Sequence, residues 1–134
     1  MEVFWLDLLL SLTTYADGQM WLAKNNELVD LLVDKAHDNL PALAILRNLS
    51  FHPSGRAKLL LLPNYLGLLH QCLQNENAAG GKNEEIKARL AWTSIWALVA
   101  NCHKAKVTLN KYLPDLESYN VHPNFQKVIS LLST

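Results

Sequence analysis

Five histidines and two cysteines are the side chains of this sequence best suited to metal binding or redox chemistry. No histidine lies three or four residues from another histidine, cysteine or aspartate in a closed set of ligands, the spacing that a metal site on a helix requires. His70 and Cys72 are too close in sequence to share a helix face. The sequence therefore predicts no metal site. Both Cys72 and Cys102 fall in apolar helical patterns without CxxC spacing, so we interpret them as buried free thiols in a reducing compartment.

Catalytic motifs are missing from the sequence. It contains no GxSxG, GxxxxGK[ST] or HExxH pattern, so neither an activated nucleophile, a phosphate loop nor a zinc protease site is indicated. Gly80, Gly81 and Lys82 form a glycine-rich stretch, but no strand precedes it, and a phosphate loop needs one. We therefore predict that the chain is not an enzyme and binds no cofactor.

Arg47 and Asn48 interrupt a helix pattern that is otherwise apolar, and Phe51 follows them one turn later. One interpretation is a solvated helix edge on which the asparagine bonds to neighbouring backbone. The other is a groove in which these side chains contact a bound protein segment, as in helical-repeat proteins. The sequence leaves both interpretations open.

Three polar residues of the last long helix recur every seven positions: Lys87, Ser94 and Asn101. This spacing predicts an exposed line, which we assign to the same partner-binding groove. Charge reversal at Arg47 and Lys87 should abolish capture of the partner and change stability by no more than about 0.5 kcal/mol. Trp92 and Trp96, one turn apart, have two interpretations: buried core, or an aromatic platform for a partner.

The elements that carry these residues follow from apolar positions at three- and four-residue steps over residues 40–73. The pattern breaks at residues 52–55 and 63–64, which predicts three helices separated by tight corners. Residues 9–36 repeat the pattern at an offset of 37, so that Leu12 falls on Leu49 and Gly18 on Gly55. We expect the matched glycines to supply a positive φ at each corner.

The sequence therefore predicts an all-α fold, an armadillo-like solenoid forming a right-handed superhelix of roughly three partial repeats. Its helices are expected at residues 2–15, 27–35, 41–51, 63–74 and 84–103, with Pro41 and Pro63 in first helical turns, a flexible loop at about 75–83 and a capping helix at 123–132. Residues 1–134 form one domain, which we interpret as the C-terminal fragment of a larger solenoid. The helix at 2–15 lacks a preceding repeat, so its open face could support self-association.

Composition restricts the possible partners. Twelve basic and twelve acidic residues give a net charge of zero, which provides no electrostatic footprint for nucleic acid or for an anionic membrane. No apolar run approaches the roughly 18 residues of a membrane span. A protein partner is the class that remains.

The phrase AILRNLSFHPSGRAKLL, together with SIWALVANCHKAKVTL, resembles the C-terminal armadillo-like region of the rotatin family. This resemblance implies a scaffold of the cytoplasm and cytoskeleton, located at the centrosome, centriole and cilium basal body, which docks a centriolar protein in centriole assembly and ciliogenesis. The importin-type Trp-x-x-x-Asn ladder is not matched, because Ala100 follows Trp96 by four residues and Asn101 comes one step late. Binding of nuclear signals is therefore not indicated.

These observations lead to one function and one alternative. The first is a non-enzymatic interaction scaffold that binds a helical or extended partner segment in its groove. The alternative is a structural end cap or self-association module of a longer solenoid, with no groove of its own. The residues assigned to the groove are Arg47, Asn48, Phe51, Lys87, Ser94 and Asn101.

Overall fold

The structure is a computed structural model, which describes residues 2–77, 82–99 and 107. Within these ranges the chain is helical, and no strand occurs. This confirms the predicted all-α class. The helices are α1 (Glu2–Leu12), α2 (Ala16–Ala23), α3 (Asn26–Lys35), α4 (Leu40–Leu49), α5 (Pro53–Leu59), α6 (Pro63–Asn77) and α7 (Lys82–Val99).

The repeat offset of 37 is visible in the helix bounds. Helices α2 and α5 begin at Ala16 and Pro53, and α3 and α6 begin at Asn26 and Pro63, so both pairs differ by 37 residues. The ends of α1 and α4, at Leu12 and Leu49, differ by the same number. Each unit thus contains one short helix followed by two longer ones, and α1 is the counterpart of α4.

Corresponding helices of the two units lie next to each other. Helix α4 packs between α1 and α7, α2 packs on α5, and α3 contacts both α4 and α6. Because α4 is covered on several sides, six of its ten residues are buried. The largest fully buried side chains come from six helices: Leu22, Leu32, Leu43, Ile45, Leu46, Leu49, Leu59, Tyr65, Leu66, Leu68, Leu69 and Trp92.

The matched glycines serve close packing and not backbone conformation. None of the glycines in the described residues has a positive φ, so the expected role of Gly18 and Gly55 is wrong. Both lie inside short helices, and a Cβ at Gly18 would stand 2.0 Å from the carbonyl oxygen of Leu12. A Cβ at Gly55 would stand 1.9 Å from the carbonyl oxygen of Leu49. Each short helix therefore crosses the end of the preceding helix at a distance that only glycine permits.

Several predicted boundaries need correction. Helix α1 ends at Leu12 and not at residue 15, and Leu12 is 44% exposed. The amide and the hydroxyl of Thr13 both bond to the Leu9 carbonyl, at 2.9 and 2.8 Å. The corner before α5 is capped by His52, whose Nδ1 accepts from the Ser54 amide at 3.1 Å, and not by Ser54. Helix α6 continues through Asn77 and α7 begins at Lys82, so residues 75–77 and 82–83 of the expected loop are helical. Residues 78–81 lie outside the described residues.

Some predictions lie outside the described residues. They concern Asn101, the continuation of the last long helix to residue 103, the partial third copy beyond it and the capping helix at 123–132. No helix within residues 2–77 and 82–99 is both long and apolar enough to cross a membrane.

Candidate interaction surface

Arg47 is a half-buried residue of the last turn of α4, and Phe51 follows two residues after the end of this helix. The Arg47 guanidinium carbon is 5.9 Å from the centroid of the Phe51 ring, within the range of a cation–π contact. The ring remains 43% exposed, whereas the neighbouring α4 residues Leu46 and Leu49 are fully buried. Partial burial of the guanidinium lowers the pKa of Arg47. A cation and an aromatic ring are thus held together at the surface of a helix that is otherwise covered.

Asn48 is buried beneath this pair. Its Oδ1 accepts hydrogen bonds from Arg47 Nη2 at 3.0 Å and from Arg47 Nε at 3.3 Å, while its Nδ2 donates to Thr13 Oγ1 at 3.3 Å. Asn48 is only 4% exposed, so it cannot contact a partner directly without rearrangement. Its observed role is to hold the Arg47 guanidinium and to join α4 to the end of α1.

Gln19 extends the same network. Its Nε2 donates to the Thr13 carbonyl at 2.8 Å, and its side chain is buried between α1 and α2. A buried carbonyl without a partner costs free energy, so Gln19 compensates for the early end of α1. Sequence reasoning missed this residue, because glutamine in a short amphipathic segment is usually solvated.

Arg56 fixes the residues that follow α4. Its Nη1 donates to the carbonyl of Phe51 at 3.1 Å and to that of Ser50 at 3.4 Å. These carbonyls belong to the orphan acceptors at a helix C-terminus, where a positive charge is also favoured by the helix dipole. Two guanidinium groups, those of Arg47 and Arg56, therefore bracket Phe51. Arg56 was not among the residues that the sequence analysis assigned to the groove.

Lys87 does not extend freely into solvent. Its Nζ donates to the carbonyl of His37 at 2.9 Å and lies 3.6 Å from Glu84 Oε1, with only 14% of the side chain exposed. His37 follows α3, so Lys87 fastens α7 to the corner between α3 and α4. The expected exposed line is therefore wrong at this position.

Ser94 is buried as well, at 1% exposure, and its hydroxyl donates to the Leu90 carbonyl at 2.8 Å. It lies near the fully buried Tyr65 of α6. Lys87 and Ser94 share one face of α7, as their seven-residue spacing predicted, but this face is turned towards α6 and α3. Whether any of the six predicted groove residues binds a partner stays a prediction.

The exposed side of α7 is rotated away from the predicted line. Arg89 is exposed and pairs with Glu85 at 3.7 Å, and Trp96 is 45% exposed. Trp92 is fully buried, which confirms that it belongs to the core. The exposure of Trp96 excludes the same interpretation for that residue. The two tryptophans are four residues apart, about 40° around a helix, and the edge of the covered face falls between them.

The described residues offer little for chemistry. No group of three or more histidine, cysteine or acidic side chains within them could hold a metal ion. Burial raises the pKa of the Cys72 thiol to about 11, which keeps it protonated and unreactive near neutral pH.

Comparison with known proteins assigns the family. The chain is 33% identical to mouse Rotatin over 113 residues, covering 80% of this chain, and 31% identical to human Rotatin over 114 residues, covering 81%. The matched part of this chain is a rotatin-family region. This confirms the resemblance found in the sequence. The chain spans 5% of the length of each of these relatives, and no family model and no solved structure matches it.

The Arg47–Phe51 pair belongs to the rotatin-like part. The match to mouse Rotatin covers 80% of the 134 residues, which is about 107 residues. A continuous stretch of this length includes residues 28–107 wherever in the chain it begins. Helices α4 to α7 therefore all lie in the rotatin-family region, and so do Asn48 and Arg56.

Proposed function

We propose that this rotatin-family region is a non-enzymatic scaffold that binds a helical or extended segment of another protein. Rotatin relatedness supports a role at centrioles or cilia. The activity proposed is partner docking in centriole assembly and ciliogenesis, in the cytoplasm at the centrosome and basal body. The observation that carries the proposal is the Arg47–Phe51 pair, which lies at the C-terminal end of a largely buried helix and in which Asn48 holds Arg47 from below.

The proposed architecture is an armadillo-like solenoid. Three-helix units at an offset of 37, with corresponding helices packed side by side, are what such a solenoid requires. In this architecture α1, α4 and α7 are the equivalent long helices, and their shared exposed side would form the groove. Asn101, one of the predicted groove residues, lies outside the described residues, and its part in the groove stays a prediction.

The proposed roles of the predicted groove residues are not all the same. Arg47 and Phe51 are the proposed contact residues, and Asn48 positions Arg47. Lys87 and Ser94 would act indirectly, by fixing α7 against α3 and α6.

The proposed function can be tested by affinity capture from lysate of ciliated cells, read by mass spectrometry. The chain serves as bait beside Arg47→Glu and Arg89→Glu, which make the same charge change on α4 and on exposed α7. We expect a centriolar protein on the wild-type and Arg89→Glu baits that is lost with Arg47→Glu. Identical protein sets on all three baits would contradict the proposal.

A second candidate, self-association, is favoured by one observation on α1. Leu8 and Leu12 are 61% and 44% exposed, whereas the residues 37 positions later, Ile45 and Leu49, are fully buried. A second copy of this chain could cover the α1 face in the same manner. Light scattering of the wild type and of Leu8→Glu, Leu12→Glu tests this candidate. A dimer dispersed by the double substitution would support it, and a monomeric wild type would exclude it.

A further inference from the structure

The surface around Phe51 carries a local excess of positive charge. The Arg47 guanidinium carbon lies 5.9 Å from the centroid of the ring, and Arg56 donates to the carbonyl of the same residue. Within the described residues no carboxylate forms an ion pair with either guanidinium, although the chain as a whole has zero net charge. The two cations therefore remain available to a negatively charged ligand.

Both guanidinium groups are already oriented. Arg47 donates through Nε and Nη2 to the buried Asn48, and Arg56 donates through Nη1 to the carbonyls of Ser50 and Phe51. A guanidinium has five donors in a rigid fork, so each group retains donors for a further acceptor. Because protein contacts already fix them, little side-chain entropy would be lost on binding.

An exposed aromatic ring beside Arg47 adds a requirement for apolar surface, and Arg56 contacts the carbonyl of the same residue. Phe51 is 43% exposed, and an aromatic side chain on a polar surface is typical of an interaction hot spot. A ligand that satisfies all three side chains needs both negative groups and an apolar one.

We propose that Arg47, Phe51 and Arg56 form a binding site for an acidic protein segment, in which aspartate or glutamate side chains flank an apolar residue. This inference rests on the proposed function and names the chemistry of the partner. Each guanidinium keeps a planar fork suited to one carboxylate, and the two are committed to different protein acceptors. This favours two separate carboxylates over one tetrahedral phosphate.

The probe is the fluorescein-labelled hexapeptide Glu-Glu-Leu-Phe-Glu-Glu, acetylated and amidated, titrated with the 134-residue chain by fluorescence polarisation. In one matched control peptide, glutamine replaces every glutamate. The second control is this glutamine peptide with one residue replaced by phosphoserine. We expect saturable binding of the glutamate peptide only, weaker at higher salt. Equal binding of the glutamine peptide, or tighter binding of the phosphoserine peptide, would overturn the proposal.

Variants locate the site. Arg47→Gln should weaken binding of the glutamate peptide about tenfold, because a charge-assisted hydrogen bond is lost. The exposed Arg89→Gln should leave the affinity unchanged. Because Arg56 also bonds to the carbonyls of Ser50 and Phe51 after α4, Arg56→Lys is measured beside Arg56→Gln. The Arg47 and Arg56 Nε–H signals of the wild type are followed by NMR. Equal effects of Arg47→Gln and Arg89→Gln, or unmoved Nε–H signals, would contradict the site.

The two proposals fail separately. If affinity capture yields a centriolar protein that depends on Arg47 but the glutamate peptide does not bind, the acidic segment is wrong and the scaffold function stands. If the peptide binds and capture is unaffected by Arg47→Glu, the acidic site exists and the proposed docking function is wrong.

Discussion

Asn48 Nδ2 donates a hydrogen bond to Thr13 Oγ1 across 3.3 Å, and the two residues are 35 positions apart in the chain. The bond joins α4 to the end of α1, its counterpart in the preceding unit. It also completes a chain of contacts from Gln19 to Arg47, so the conformation of the surface arginine depends on packing between units.

Replacing Asn48 by alanine should destabilise the fold. The change removes the acceptor for Arg47 and leaves the buried Thr13 hydroxyl without this donor, a loss of about 1–2 kcal/mol in the free energy of unfolding. Chemical denaturation followed by circular dichroism measures it. Asn64→Ala, at an exposed position, is the control and should change stability by less than about 0.5 kcal/mol. Equal midpoints for the two variants would disprove the buried link.

Alanine at the two matched glycines should be destabilising for a steric reason. A Cβ at Gly18 or Gly55 would overlap the carbonyl oxygen of Leu12 or Leu49, so the short helix must move. We expect each change to cost about 1–3 kcal/mol, as overpacked sites do. The measurement is the midpoint of thermal or denaturant unfolding.

Gly67 provides the matched control for this pair. It lies in α6, and a Cβ there would meet nothing within 4 Å. Gly67→Ala should therefore raise the free energy of unfolding by about 0.5–1 kcal/mol through helix propensity. A stabilising effect at Gly18 or Gly55 would show that the close approach of the helices is not as described.

Charge reversal at Lys87 should reduce stability, contrary to the expectation from the sequence. Lys87→Glu removes the bond to the His37 carbonyl and places a carboxylate beside Glu84. The loss should be on the order of 1–2 kcal/mol. Arg89→Glu, on the exposed side of the same helix, should stay within about 0.5 kcal/mol. If both variants unfold at the same denaturant concentration, Lys87 does not fasten α7 to α3.

Stability should fall at alkaline pH because of Cys72. Burial raises the pKa of its thiol from 9.0 to about 11, so the unfolded chain loses this proton first as the pH rises. The contribution of the protonated thiol to the free energy of unfolding is complete below pH 9 and is lost as the pH rises towards 11. In total this loss is on the order of 2 kcal/mol. Tyr65, whose pKa is also raised by burial, acts in the same direction. The free energy of unfolding in urea, measured at pH 8 and at pH 10.5, should differ less between the two pH values for Cys72→Ala than for the wild type. Equal differences in the two proteins would contradict burial of the thiol.

Local signals in the sequence predicted the helices and their repetition well. Pro41 and Pro63 lie in first helical turns as expected, and Asn25 caps α3 through the Leu28 amide. These features depend on residues close in sequence, which is why periodicity and capping rules find them.

The candidate surface was only partly predictable. Arg47 and Phe51 are at the surface as expected, but Lys87 and Ser94 face neighbouring helices. A helix that is covered on several sides has polar and apolar faces that differ little. The seven-residue spacing therefore identified residues on one face of α7, but not whether that face points to solvent or to a neighbouring helix. Arg56 was missed because its contacts with the end of α4 arise from the corner geometry and not from helical spacing.

Site-specific photocrosslinking at position 51 tests the central claim most directly. The chain carries p-benzoylphenylalanine in place of Phe51, or, as the control, in place of Leu61, a 73% exposed residue between α5 and α6. After irradiation in ciliated cells, we predict a discrete adduct with another protein at position 51 and none at position 61. The same adducts at both positions, or none at position 51, would contradict partner binding at the α4 surface.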